Sequence, residues 1–327
     1  MAITLEAIAT PENFDESGYL AANPDVAEAV RNGHFRSGRQ HFDGPGRKEG
    51  RRVRFARSIA DIQQEKLKRI APLLRLDLPH VRRGAKYDFL TEALRAATGI
   101  ADTNAISTHG YDPYAVELIE ACRDGLVLDC GAGKRPVYYP NVVNFEIVDY
   151  DTTDVLGVGE ALPFRDKAFD AVLSLSVLEH VRDPFACAAE IARVLKPGGK
   201  LICCVPFLQP LHGYPHHYYN MTGQGLRALF ERRLHIDRHI VPRSTLPLAS
   251  LTWFVRSWAR GLHGEAREQF LSMRMADLLG QPENLQDERW VTELSDATNF
   301  ELASATMLFA HKETSSPPKN PLAGSTA

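Results

Sequence analysis

The sequence predicts an α/β protein, a sheet covered by helices on both faces, preceded by an α-helical N-terminal extension. Three observations carry that prediction. From residue 111 to about residue 312, short apolar runs of strand character alternate with runs of helical periodicity. The run Leu126-Val127-Leu128-Asp129 ends on an acid and passes at once into Gly131 and Gly133, the pattern of a strand feeding a tight turn. The run Ala189 to Lys196 has helical character and is stopped by Pro197-Gly198-Gly199, after which Leu201 to Val205 reads as a buried strand.

The elements before this region are of another kind. Residues 1–52 read as short helices separated by turns. Pro24 sits early in AANPDVAEAVRNG, where a helix tolerates proline, and Asn32-Gly33 marks its stop. In residues 53–110 the stretch SIADIQQEKLKRIAPLLRL places Ile59, Ile62, Leu67, Ile70 and Leu73 at helical spacing, which reads as a packed amphipathic helix. Residues 111–312 form the main domain, with 243–298 as a helical insertion. The tail 313–327, rich in Ser, Pro and Gly, reads as disordered.

Bulk composition narrows the class. A 327-residue chain with 44% hydrophobic and 24% charged residues is that of a soluble globular protein. No apolar run approaches the roughly 20 residues of a membrane span. The first residues, MAITLEAIATPENFDE, have neither the basic start nor the apolar stretch of a secretion signal, so a cytoplasmic location is expected. Five cysteines without a CxxC pair predict free thiols and no thiolate zinc site. The net charge of −3 conceals an asymmetry: residues 31–86 hold 16 Lys/Arg against 5 Asp/Glu, leaving the rest of the chain near −14. A basic stretch of that kind can meet nucleic acid, anionic lipid or an acidic glycan. The ordinary reading, an Arg-rich helical surface packed on an acidic domain, is preferred, because the aromatic interleaving of a nucleic-acid platform is missing.

The segment LVLDCGAGKRPVYYP holds the first chemistry. Asp129 stands at the carboxyl end of a strand, where open α/β sheets bind ligands, and the glycines admit close approach of a ligand to the backbone. A GxG by itself also serves any tight strand-to-helix turn. The following segments are more specific. Val142 to Ile147 reads as a second strand carrying Glu146, whose two oxygens suit the two hydroxyls of a ribose. Then come Glu160-Ala161-Leu162-Pro163-Phe164, the strand Phe169 to Ser176, the turn Val177-Leu178-Glu179-His180-Val181, and the helix ending in Pro-Gly-Gly.

This succession resembles a class I S-adenosylmethionine-dependent methyltransferase of the type-11 group. LDCGAG matches the family's LDxGxG loop, and ALPF, FDAVLSLSVLEHVRDP and EIARVLKPGG match its later motifs. The resemblance is continuous over residues 111–240. It implies a seven-stranded, mostly parallel, Rossmann-like sheet whose last strand, at Glu301 to His311, runs antiparallel. It implies S-adenosyl-L-methionine as cofactor, with Asp129, Gly131, Ala132 and Gly133 beside its methionine part and Glu146 on the ribose. Leu162 and Glu160 would lie near the adenine, and Ser174 and Ser176 would line the pocket. Relatives often carry an aspartate for the adenine at the position of Val158, so adenine recognition here would rest on backbone, apolar contacts or Glu160. Pro136 predicts a stunted helix after the glycine loop, with Lys134 or Arg135 left to meet the methionine carboxylate. The N-terminal piece FDESGYLAANPDVAEAVRNGHFRSGRQHFDGPGRKEGR resembles a small helical module found beside bacterial glycosyltransferases, and implies an accessory role.

Methyl transfer is an in-line displacement, so alignment contributes much of the rate, and a hydroxyl acceptor also needs a base. The loop Pro206 to Thr222 follows the fifth strand. His212 is its first candidate base, with His216 and His217 behind it; the competing reading makes each a structural hydrogen-bonder. In some O-methyltransferases with the LEH signature, Glu and His join a further acid on a divalent cation. The corresponding residue is Ser176, so no metal is expected and Glu179-His180 is read as a helix cap. Trp253, Phe254 and Trp258 read as core packing, with a ligand face or homodimer contact as alternatives. The expected function is O-methylation of a hydroxyl on a bacterial surface sugar or small metabolite, without nucleic acid. Two other classes compete: a nicotinamide oxidoreductase, against which Pro136 stands where GxGxxG needs its third glycine, and a non-catalytic cofactor-binding scaffold protein.

Overall fold

The computed structural model describes residues 2–100, 107–213, 216–279 and 284–302. The chain divides into two compact units, residues 1–250 and 251–327. Eleven strands are defined among the described residues: β1 (Ile3–Thr4), β2 (Glu6–Ile8), β3 (Arg52–Arg54), β4 (Val81–Arg83), β5 (Lys86–Asp88), β6 (Val127–Cys130), β7 (Val137–Tyr138), β8 (Val142–Glu146), β9 (Val155–Leu156), β10 (Phe169–Leu175) and β11 (Leu195–Cys204).

Seven of them form one sheet in the order β11-β10-β6-β8-β9-β5-β4. Every neighbouring pair is parallel except β4–β5. The chain enters at one edge with β4 and β5, crosses to the middle at β6, winds back through β8 and β9 to meet β5, then passes to the other side of β6 with β10 and β11. The reversal lies between β6 and β10, and a crevice opens outside the carboxyl ends of strands at such a point. The expected seven-stranded, mostly parallel sheet is therefore present, but its outer members differ from those expected. The antiparallel strand is β4, and it comes from the segment read as a helical connector. Val81-Arg82-Arg83 and Lys86-Tyr87-Asp88 fold back on each other at Gly84, and β5 docks in parallel on β9. Those six residues are short and charged, so they lack the period-2 signal of a strand. Of the strand anticipated at Glu301 to His311, Glu301 and Leu302 close the helix Asp296–Leu302, and the remainder lies outside the described residues, as does the tail 313–327.

The helices follow their local signals. Pro24–Arg31 starts on Pro24 behind Asn23, as anticipated. Asp112 and Asp183 cap the helices Pro113–Ala121 and Pro184–Val194, accepting from Ala115 N and Ala186 N. Such caps satisfy backbone donors that the first turn leaves open. The helix Ala60–Ile70 buries Leu67 and Ile70 against Leu128, Val143 and Phe145 of the sheet's core.

The N-terminal residues are joined to the main domain by backbone pairing. β1 pairs with β7, and β2 pairs with β3 across the boundary anticipated at residue 52. Pro136 O accepts from Leu5 N and Glu6 N at 2.7 and 3.0 Å. No helix follows Gly133: proline and the pairing partner β1 turn that stretch into β7. The basic segment is largely neutralised at home. Lys66 pairs with Asp154, Lys86 with Asp149, and Arg54 with Glu6 and Asp151.

The second unit is helical. Trp258 stacks on Phe270 with ring centroids 5.6 Å apart and donates its Nε1–H to Trp290 O at 2.8 Å, so this aromatic group is a small core. Among the described residues, no helix is long and apolar enough to cross a membrane.

Candidate active site

Two acids end the central strands, and their surroundings set them apart. Asp129, at the end of β6, is wholly buried and takes a bidentate contact from Arg135: Nε to Oδ2 at 2.8 Å and Nη2 to Oδ1 at 3.0 Å. Tyr111 donates its hydroxyl to Oδ2 at 2.6 Å, and its ring lies 4.2 Å from the guanidinium centre. Burial works against the charge on Arg135, yet the adjoining carboxylate more than offsets it and holds the guanidinium above its ordinary range. Arg135, one of two residues anticipated for the cofactor's carboxylate, is therefore engaged by Asp129. Lys134 lies 3.6 Å from Glu6.

Glu146 closes β8. Its Oε2 accepts from Gly133 N at 2.6 Å and its Oε1 from Ile147 N at 2.7 Å. Burial raises its carboxyl above the usual range, working against those backbone donors. The Val148 N–H also faces this carboxylate, so three backbone donors share its roughly four lone-pair sites. Gly131 N and Ala132 N both donate to Phe145 O at 2.9 and 3.0 Å, docking the glycine loop on β8. Gly131 has φ +81°, and a Cβ there would lie 2.5 Å from Val177, so the loop touches the turn that follows β10.

The other anticipated pocket residues are dispersed. Ser174 on β10 is buried, with no hydrogen-bond partner for its hydroxyl among the described residues. Ser176 is exposed at φ +58°, turning the chain out of β10, with its N–H on Cys204 O. Glu160 accepts from Arg182 N at 3.1 Å. Leu162 is 1% exposed in the main core and donates its N–H to Glu190.

Beyond Val177 stands a cluster that the sequence reading divided between two motifs. Glu179 is completely buried, and neither carboxylate oxygen has a hydrogen-bond partner among the described residues. Burial pushes its carboxyl up to about 8. His180 Nε2 lies 3.7 Å from Glu179 Oε1, and the rings of His180 and His212 stand perpendicular with centroids 5.3 Å apart. Glu179, His180 and His212 each place one donor atom within 4.8 Å of the others. His180 Nδ1 meets His216 O at 2.7 Å and His212 Nδ1 meets Pro210 O at 2.8 Å. A carbonyl only accepts, so in both neutral rings Nδ1 carries the proton and Nε2 the lone pair. Gly213, at φ +90°, lets the loop pass so close that a Cβ would sit 2.4 Å from His180 Cε1.

The two reserve histidines hold the loop. His217 accepts from His212 N at 3.1 Å through Nδ1 and meets Asn220 Oδ1 at 3.1 Å through Nε2. His216 Nε2 donates to Gly99 O at 2.8 Å. Tyr218 N and Tyr219 N donate to the backbone oxygen of Glu179. The structure thus brings His212 to Glu179 and His180 and gives His216 and His217 positioning contacts. The sequence missed the Asp129–Arg135 pair and the alliance of the LEH motif with His212. Only a three-dimensional fold joins residues 32 positions apart. A cleft of about 1030 Å³ lies elsewhere, along the edge of β11, lined by residues such as Lys196, Lys200, Arg227 and Phe230. It is the groove beside a strand with one free edge among the described residues, and it contains none of the acids above.

Part of this chain is similar to known proteins. The family model described as a methyltransferase domain matches residues 130–203. The uncharacterized protein YafE of Escherichia coli is 32% identical over 113 residues, 31% of this chain and 54% of that protein. The demethylmenaquinone methyltransferase of Renibacterium salmoninarum is 32% identical over 126 residues, 38% of this chain and 48% of that protein. The chain thus spans about half the length of these curated relatives. A solved S-adenosylmethionine-dependent methyltransferase from Thermotoga maritima is 20% identical, covering 37% of this chain and 69% of its own, with a TM-score of 0.27. The matched segment runs from the end of β6 through the glycine loop, Glu146, Glu179 and His180 into β11. Residues 130–203 are thus similar to a methyltransferase domain, in agreement with the order of the motifs in the sequence.

Proposed function

We propose that this protein transfers a methyl group from S-adenosylmethionine to a hydroxyl of a small-molecule or glycan acceptor. One observation supports the reading: the segment similar to methyltransferases holds the glycine loop, Glu146 and the Glu179-His180 turn, which follow the carboxyl ends of neighbouring parallel strands. When bound, S-adenosylmethionine supplies an electrophilic methyl on a sulfonium. The chain's part is to hold and orient. The backbone of Gly131, Ala132 and Gly133 shapes the methionine end, Glu146 accepts the ribose hydroxyls, and Ser174 and Ser176 line the pocket beyond. Glu160 flanks the adenine side. At the opposite wall the acceptor hydroxyl loses its proton beside Glu179, His180 and His212, and His212 is the ring of that group which touches the acceptor.

For the acceptor we favour a hydroxyl on a bacterial surface sugar or small metabolite. The support is the loop of histidines and tyrosines together with the N-terminal module. A hydroxylated ring is the second reading, because curated relatives include a ubiquinone biosynthesis O-methyltransferase of Maricaulis maris, 50% identical over 48 residues, 14% of this chain and 19% of that protein. Calorimetry with S-adenosylmethionine and with NAD(P) tests the core of the proposal. Binding of the former alone, lost in Glu146→Ala, is the expected result; binding of neither defeats it. Mass spectrometry of envelope glycans from a deletion strain tests the sugar, and unchanged methylation there removes it.

A further inference from the structure

We infer that Glu179, His180 and His212 form a binding site for one divalent transition-metal ion of the zinc or cobalt class. Ser176, which stands where some O-methyltransferases have an acid, is exposed, and the third donor comes from the loop after β11.

Four observations converge. The first is Glu179, a fully buried carboxylate with no hydrogen-bond partner among the described residues, a costly arrangement unless a cation completes it. Next come the two imidazoles beside it, each donating Nδ1–H to a backbone carbonyl, which directs Nε2 to the cluster. Metal-bound histidines are held in this way, with the second ring nitrogen fixed by a backbone or carboxylate partner. The third is the backbone around them: Gly213 brings the loop onto His180, and Tyr218 N and Tyr219 N tie it to Glu179 O. Finally, the His180 side chain is 29% exposed, so the site opens to solvent on one side.

The donor set selects the ion. Two imidazoles and one carboxylate suit zinc, iron or cobalt, whereas magnesium and calcium favour oxygen ligands throughout. Tetrahedral bonds of about 2.0–2.1 Å place ligand atoms about 3.4 Å apart. The observed separations, 3.7 Å for one pair and up to 4.8 Å for the set, need side-chain rotations of about an ångström to close. Three protein ligands leave a coordination position open.

The role of the ion rests on the methyltransferase reading, although its binding does not. An acceptor hydroxyl in the open position ionises more readily, and its proton leaves to solvent water. The resulting oxygen forms the O–C bond to the methyl as the C–S bond breaks, the electron pair returning to sulfur to give the neutral thioether. His212 then acts as a ligand in place of a base.

Equilibrium dialysis of the full chain against Zn²⁺, with Mg²⁺ in parallel, and metal analysis of the protein decide the matter. One equivalent of Zn²⁺ and no Mg²⁺ are expected. Glu179→Gln and His212→Ala should each weaken Zn²⁺ binding by about 100-fold or more, while the exposed His235→Ala leaves it unchanged. Substituted Co²⁺ should give visible ligand-field bands that both variants abolish, and circular dichroism checks that each variant is folded. Absence of stoichiometric Zn²⁺ and Co²⁺ binding overturns the inference, as does binding that survives both substitutions. Calorimetry with S-adenosylmethionine separates the two readings: cofactor binding without metal binding ends this inference alone, and metal binding without cofactor binding ends the methyltransferase reading alone.

Discussion

Asp154 and Glu179 are both buried carboxylates of the first unit, and they differ in everything around them. Asp154 takes Lys66 Nζ at 2.8 Å and Asn144 N at 2.8 Å, with Tyr138 and Gln63 completing the shell. Glu179 has no such partner among the described residues. A folded chain that satisfies one buried acid four times over and leaves the other bare has used the first for architecture. The bare one sits beside two correctly oriented imidazoles at the carboxyl end of the sheet. A buried acid with its partners in place belongs to the architecture, and a buried acid left without them next to ligating groups marks a place for something else.

Breaking the satisfied cluster should have the largest effect. Lys66→Met strands Asp154 and should lower unfolding free energy by about 3–5 kcal/mol in urea denaturation, with much of the loss recovered in Lys66→Met/Asp154→Asn. Arg135→Met leaves Asp129 with Tyr111 as a remaining donor, and should cost about 2–3 kcal/mol by the same measurement. In the N-terminal residues Tyr19 Oη lies 2.9 Å from His41 Nδ1 in a buried contact, and Tyr19→Phe should cost about 1 kcal/mol. Glu179→Gln completes the series. In metal-free protein its stability should match or exceed the parent by up to about 1 kcal/mol, since it removes an unpaired ionisable group, while methyl transfer falls sharply. A large loss of stability in Glu179→Gln would erase the distinction between the two acids.

Much of this was legible in the sequence where the signal is local. The helix starting at Pro24, the strand ending near Asp129 and the acid ending β8 all follow from residue types at short spacing. β4 and β5 were not legible. Their charged residues become strands because β9 offers an open edge, a preference that tertiary pairing imposes. Nor was the replacement of a helix by β7, which depends on Leu5 and Glu6 arriving at Pro136 O. Leu162 shows the reverse: a motif position anticipated near the adenine is packed in the core.

By itself the sequence determined the α/β class, the order of the cofactor motifs and the acid at the end of β8, because periodicity and turn chemistry act over a few residues. Only the tertiary structure decided which acids are satisfied. Arg135 reaches Asp129 because Pro136 and β1 turn the chain back, and His212 reaches Glu179 because Gly213 lets a distant loop close on His180. Both depend on distances between residues that no local pattern relates, and burial then makes each pairing, or its lack, energetically decisive.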